Sequence, residues 1–252
     1  MFELTGRVAI VTGGNGGIGL GVARGLARAG ARIVIAARDQ EKSNAALRTL
    51  GAFGSEALAL SVDISSEKSV EKLVSRTVEQ CGRLDILVNN AGINIRKPVH
   101  ELDLREWQLV IDTNLGGTFL CSRSAYPHMK LLGAGKIINI GSMLSIFGAS
   151  FAPAYSASKG GIVQLTKSLA ATWAKDNIQV NAVLPGWIDT DLTRRARQEI
   201  PGLHERVLAR TPAGRWGNVD DLAGIAVFLS SSASDFITGA VIPVDGGYSV
   251  VG

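Results

Sequence analysis

The chain is poor in residues that staple, chelate or stack: 2 cysteines, 3 histidines and 6% aromatics in 252 positions. Cys81 and Cys121 have no metal-ligand neighbours, and two thiols do not make the disulfide framework of a secreted domain. His100, His128 and His204 are too scattered to suggest a metal site, so no metal is expected. A large excess of one charge sign is missing as well. The 26 basic and 22 acidic residues are interspersed without a long run of either, which argues against nucleic acid or a membrane surface as a partner. Long apolar runs are missing too. The segment from Ile137 to Ala157 is broken by Ser142, Ser145, Ser150, Pro153 and Ser156, so no membrane span is expected. Met1-Phe2-Glu3-Leu4 carries neither the basic nor the apolar part of a signal peptide. The expectation is a soluble, cytoplasmic protein.

Glycine, by contrast, is plentiful, and five of the 30 fall within the eight residues Thr12 to Gly19, TGGNGGIG. The run follows the apolar stretch Val8–Thr12 and precedes a helix-like segment from Leu20 to Gly30. A strand, a glycine turn and a helix N-terminus in that order form a site for an anionic ligand. Two frames fit, Gly14-x-Gly16-x-x-Gly19 and Thr12-Gly13-x-x-x-Gly17-x-Gly19, and neither is specific alone.

Further strands are expected at Arg32–Ala37, Ala57–Val62, Ile86–Asn89, Lys136–Ile140, Gln179–Leu184 and Ala240–Pro243. Helices are expected at Ser66–Cys81, Asp103–Leu132, Ala157–Lys175 and Asp220–Ser230. Continuous apolar strands alternating with helices predict an α/β fold: a doubly wound, seven-stranded parallel sheet with helices on both faces. No linker or repeat divides it, so residues 1–252 are read as one domain. The rhythm breaks at 187–217, which is charged, contains Arg194-Arg195-Ala196-Arg197 and holds Pro201 and Pro212. It lies beyond a strand end, where such sheets bind ligands, and reads as a lid.

Tyr155 and Lys159 stand one helical turn apart, on one face. A neighbouring ammonium favours a phenolate, so Tyr155 is expected to be acidified and to serve as general acid/base for an alcohol/ketone pair. Ser142 follows the strand ending at Ile140, and its hydroxyl is placed to hydrogen-bond a substrate oxygen, with Ser145 as competitor.

These segments, with Asn89-Asn90-Ala91-Gly92, Pro185-Gly186-Trp187-Ile188-Asp189-Thr190 and Val244-Asp245-Gly246-Gly247, occur in an order that resembles the short-chain dehydrogenase/reductase family along essentially the whole chain. The resemblance implies a Rossmann fold and hydride transfer with a nicotinamide cofactor, with Asn114 completing Ser142, Tyr155 and Lys159 as catalytic residues. It also implies a cofactor site of Gly13, Asn15, Gly17, Ile18, Gly19, Arg38, Asp63, Ile64, Asn90, Ala91, Gly92, Tyr155, Lys159, Pro185, Gly186, Ile188 and Thr190. Asp63 has a competing reading as a turn residue. At the position aligned with the ribose-binding acid of NAD enzymes stands Ala37, followed by Arg38, which favours NADP over NAD; Asp39 either rotates in or caps a helix. Within the family the chain is similar to the branch that oxidises sugar acids such as gluconate. Arg96 is then expected to clasp a substrate carboxylate, with Met143, Phe147, Phe151 and Trp187 as pocket walls. Reduction of 3-oxoacyl groups on a carrier protein, received by Arg194–Arg197, and a nucleotide-binding regulator without chemistry remain as alternatives. Family members are commonly tetramers, so a homotetramer is implied.

Overall fold

β1 (Val8–Thr12) is apolar except at its last residue and buried at every position, because it lies at the middle of a sheet covered on both faces. In the computed structural model, which describes residues 1–52 and 56–251, six more strands join it in parallel. They are β2 (Arg32–Ala37), β3 (Ala57–Ser61), β4 (Ile86–Asn89), β5 (Gly135–Ile140), β6 (Ile178–Pro185) and β7 (Val241–Val244). Their spatial order is β3-β2-β1-β4-β5-β6-β7. The seven expected strands are all present, within a residue or two at their ends, and the doubly wound architecture stands.

Side-chain alternation sorts each strand between two cores. Ala9, Val11, Ile33, Ile35, Ile86, Val88, Ile138 and Ile140 face one side. There they meet α1 (Gly17–Arg28), α2 (Gln40–Gly51) and α9 (Ala223–Ser230). Val8, Ile10, Val34, Ala36, Leu87 and Ile137 face the other. There they meet α3 (Glu67–Cys81), α5 (Gly117–Leu132) and α6 (Pro153–Trp173). The predicted helix Asp103–Leu132 is continuous but not uniform. It comprises α4 (Leu104–Ile111), a π turn at Asp112–Gly116, and α5. Within 187–217 lie α7 (Asp191–Glu199) and α8 (Leu203–Arg210), which form a small core of their own from Ala196, Leu203 and Val207 against Trp187, Ile200 and Trp216. No described helix is long and apolar enough to cross a membrane.

Chain order reverses between β1 and β4, and in such sheets the crevice outside the carboxyl ends at this switch point is where ligands bind. At the opposite end, Asp85 fixes this neighbour pair. Its carboxylate accepts from Arg7 Nη1 (2.9 Å), the Val8 N–H (2.9 Å) and Arg83 Nε (2.8 Å) and Nη2 (2.6 Å). Burial pushes the Asp85 carboxyl up, but the bonds from Arg83, Val8 and Arg7 together hold it below the usual range. A depressed carboxyl stabilises the fold above its unfolded value of about 4 and stops doing so as pH falls through the folded one. Asp85→Asn is expected to lower stability by about 2–4 kcal/mol at neutral pH. Urea unfolding between about pH 6 and pH 3 checks this, with the variant losing less stability over the acid range than the wild type.

Candidate active site

The glycine turn is shaped by two needs. Gly13 (φ 63°) and Gly17 (φ 50°) occupy the left-handed region, which costs a side chain more than it costs glycine. A Cβ on Gly19 would overlap Gly13 O and Asn90 Nδ2. Thr12 and Asn90 weld the turn to the segment after β4. Thr12 Oγ1 accepts the N–H groups of Asn90 (2.9 Å) and Ala91 (3.1 Å), and Asn90 Nδ2 donates to Thr12 O (3.0 Å). Asn15 Nδ2 reaches Asp39 O (3.2 Å) and Ser43 Oγ (3.3 Å), so this side chain holds the turn against α2. No side chain caps α1, whose N-cap is Gly16, and a Cβ there would meet nothing within 4 Å. An uncapped helix start, open on its outer side, fits the pyrophosphate of a dinucleotide.

Around this cradle the expected contacts divide. Arg38 is exposed just beyond β2. Asp39 caps α2 by accepting the Lys42 N–H (3.0 Å), which realises its structural reading. Asp63 accepts the Ser65 hydroxyl (2.7 Å) and N–H (3.0 Å) in a tight turn; these bonds first, and the Arg38 charge less so, lower its pKa. Ile64 is buried in the second core. Across the crevice, Thr190 caps α7, and its methyl lies 3.5 Å from where a Gly17 Cβ would stand. A Cβ on Gly186 would stand 2.6 Å from Asp245 Cα, behind the segment that carries Pro185 and Ile188.

The four expected catalytic residues converge from three elements. β5 ends at Ile140, and the chain turns sharply so that Ser142 caps a short turn through Leu144 N–H (3.1 Å). Ser145 donates to Lys159 O (2.8 Å) and accepts the Ser142 N–H (3.1 Å), so its hydroxyl is engaged in bracing the turn. Lys159 is 3% exposed; its ammonium donates to Ile140 O (2.7 Å) and lies 5.6 Å from the centre of the Tyr155 ring. The π turn delivers Asn114, fully buried, with Oδ1 accepting the Ile93 N–H (2.8 Å) and Nδ2 donating to Ile93 O (3.0 Å) and Ser158 Oγ (3.0 Å). A Cβ on Gly92 would be 3.0 Å from Asn114 Oδ1 and 3.8 Å from Lys159 Nζ, so the segment after β4 closes on both.

The expected acidification of Tyr155 by Lys159 is corrected here. Burial is the largest influence and pushes the phenol above its ordinary value, opposed by a hydrogen bond with Ser142 and by the Arg96 charge. Burial also pushes Lys159 down, to about 8. Both groups sit in surroundings that penalise their charged forms, and the amine spends its bond on a backbone carbonyl.

Behind them runs a polar chain that sequence reasoning missed. Thr118 donates to Asn114 O (2.7 Å), Ser122 to Thr118 O (2.7 Å), Asn89 to Ser122 (2.9 Å) and Asn139 (2.9 Å), and Asn139 to Thr166 (2.9 Å). Two signals were available. Asn114, Thr118 and Ser122 recur every fourth residue, and Asn89, last in β4, pairs in register with Asn139, next to last in β5.

The substrate side differs more from expectation. Arg96 is not free. Its Nη1 donates to Glu199 Oε2 (2.7 Å) and its Nη2 to Leu192 O (3.0 Å). Met143 is buried in a core with Val163 and Leu184 rather than on a wall, and Phe147 packs against it beside Tyr248. Trp187 meets Trp216 edge-on at 5.6 Å, inside the small core of 187–217.

A lysine with a depressed folded pKa weakens the fold while both states are charged. That penalty fades as pH rises from about 8 towards the ordinary value near 10.4. Between about pH 7.5 and 9.5 the wild type should therefore gain stability on the order of 2 kcal/mol in urea unfolding, and Lys159→Met should lack that gain.

A family model described as enoyl-(acyl carrier protein) reductase matches residues 13–249. The 2-dehydro-3-deoxy-D-gluconate 5-dehydrogenase of Escherichia coli is 42% identical over 248 residues, 98% of this chain and 97% of the relative. The gluconate 5-dehydrogenase of Gluconobacter oxydans is 39% identical, covering 99% of this chain and 97% of its own length. A crystal structure of a gluconate 5-dehydrogenase from Burkholderia cenocepacia, in complex with NADP and tartrate, is 41% identical with a TM-score of 0.95, over 100% of this chain and 98% of that one. With the glycine cradle and the Ser142–Tyr155–Lys159–Asn114 group in place, the chain belongs to the short-chain dehydrogenase/reductase family of NAD(P)-dependent oxidoreductases.

Proposed function

We propose that this chain interconverts a secondary hydroxyl and a ketone on a sugar acid, using NADP in preference to NAD. The observation that carries the substrate class is Arg96. Its charge reaches Tyr155, and its side chain is 15% exposed, so a cation stands beside the reacting position in a partly dry site. Two similar enzymes are named for 2-dehydro-3-deoxy-D-gluconate and gluconate, both carboxylates, and a third was crystallised with tartrate.

NADP is supported by Arg38, exposed beyond β2, while the adjacent carboxylate of Asp39 is committed to its helix. The Burkholderia cenocepacia enzyme was crystallised with NADP. The Arg194–Arg197 cluster would be needed to receive an acyl carrier. Arg194 and Arg197 are instead paired with Asp189, and Arg197 lies over the Trp216 ring, so the carrier reading loses its anchor.

When bound, the nicotinamide supplies or accepts the hydride. Tyr155 Oη takes the hydroxyl proton in oxidation and returns it in reduction, and Ser142 Oγ hydrogen-bonds the same substrate oxygen. The raised pKa of Tyr155 keeps the phenol protonated near neutral pH, which suits reduction; oxidation needs the phenolate and gains from alkaline conditions. Lys159 and Asn114 hold the end of α6 and the segment after β4 in register around that oxygen.

Residues 187–217 form the lid over this site, its two ends tied together by the bridge between Ile188 and Gly217. The assembly is a cytoplasmic homotetramer. Exposed Leu104, Leu109 and Phe119 on α4 and α5 support association, and unpaired Cys81 and Cys121 suit a reducing compartment.

Arg96→Ala should raise KM for D-gluconate roughly ten- to a hundredfold, the worth of a charge-assisted hydrogen-bonded pair. Steady-state oxidation of D-gluconate with NADP checks this, and an unchanged KM removes the carboxylate clasp.

A further inference from the structure

Arg96 meets α7 twice, and both contacts use the terminal nitrogens that a carboxylate would need. Nη1 goes to Glu199 and Nη2 to the Leu192 carbonyl, so a substrate carboxylate gripping both nitrogens competes with Glu199 for the same cation. Glu199 is the last residue of α7, where the helix dipole disfavours an acid. Its side chain is half exposed, while that of Arg96 is largely enclosed. Cation and anion are therefore unequal: the guanidinium is fixed in the site, and the carboxylate reaches in from a helix that carries it at an unfavourable end.

We propose that Glu199 is a built-in surrogate for the substrate's carboxylate, which holds Arg96 while the site is empty and is exchanged for the carboxylate of an incoming sugar acid. The proposal rests on Arg96 being the substrate clasp. It makes α7 responsive to one chemical class. An acid replaces Glu199 and releases the helix from the segment after β4, whereas a neutral polyol leaves the pair closed. Glu199 thereby lowers affinity for the proper substrate and ties its binding to the position of residues 191–199.

The test uses the full chain with NADP, D-gluconate and the neutral analogue D-glucitol. Dissociation constants come from intrinsic tryptophan fluorescence, since Trp187 and Trp216 pack with Ala196 of α7, and KM comes from turnover. Glu199→Gln keeps size and removes the competing charge. It should tighten D-gluconate binding about two- to fivefold, the range of a partly exposed ion pair, and leave D-glucitol unaffected. In the Arg96→Ala background the same substitution should change nothing, because no cation remains to be freed. Unchanged or weakened D-gluconate binding, or equal shifts for both compounds, overturns the exchange and makes the pair a plain structural tie. If Arg96→Ala itself leaves D-gluconate binding intact, or the wild type shows none, the substrate reading fails and this proposal falls with it. If Arg96→Ala weakens binding while Glu199→Gln does not strengthen it, only the exchange fails.

Discussion

The site depends on burying an ammonium where no carboxylate meets it. Lys159 bonds a backbone carbonyl at the end of β5, and that bond joins α6 to the strand whose next turn carries Ser142. An isolated cation in a dry setting is costly, and the cost appears as its fall to about 8. Such strain is retained where function needs it. Here it sets an amine beside a phenol whose own charge is also penalised.

The π turn is the second device. A regular helix through Asp112–Gly116 would keep its own backbone ladder; the extra residue lets Asn114 bond Ile93 on both its faces and Ser158 on α6. From there the polar chain through Thr118, Ser122, Asn89, Asn139 and Thr166 crosses the core below the site. It locks α5, β4, β5 and α6 to one register, which apolar packing alone fixes less sharply. Stability and catalytic geometry share these bonds.

Much of this was legible in the sequence because burial writes a strong pattern. Val8–Thr12 and Ile86–Asn89 are apolar enough to suit a two-faced parallel sheet, and the glycines of Thr12–Gly19 mark a turn where Gly13 and Gly17 take positive φ. Tyr155 and Lys159 announce a shared helix face. What stayed hidden depends on partners far along the chain. Nothing near Arg96 foretells Glu199, and nothing near Met143 distinguishes a pocket wall from core. The raised pKa of Tyr155 is hidden for the same reason: neighbour spacing is visible in a sequence, whereas desolvation is set by every element packed around a group.

Helix α7 connects these parts to the proposed substrate clasp. Thr190, at the start of α7, stands against the glycine turn, and Glu199, at its end, against Arg96, so one helix touches both the glycine turn and Arg96. The central claim is that the half-buried phenol at position 155 moves the proton. Its most direct test is Tyr155→Phe, followed through NADPH formation from D-gluconate and, separately, through NADPH binding by fluorescence. The account predicts intact binding with turnover reduced by about 10²–10⁴. Turnover at the wild-type rate, with cofactor bound, would contradict it.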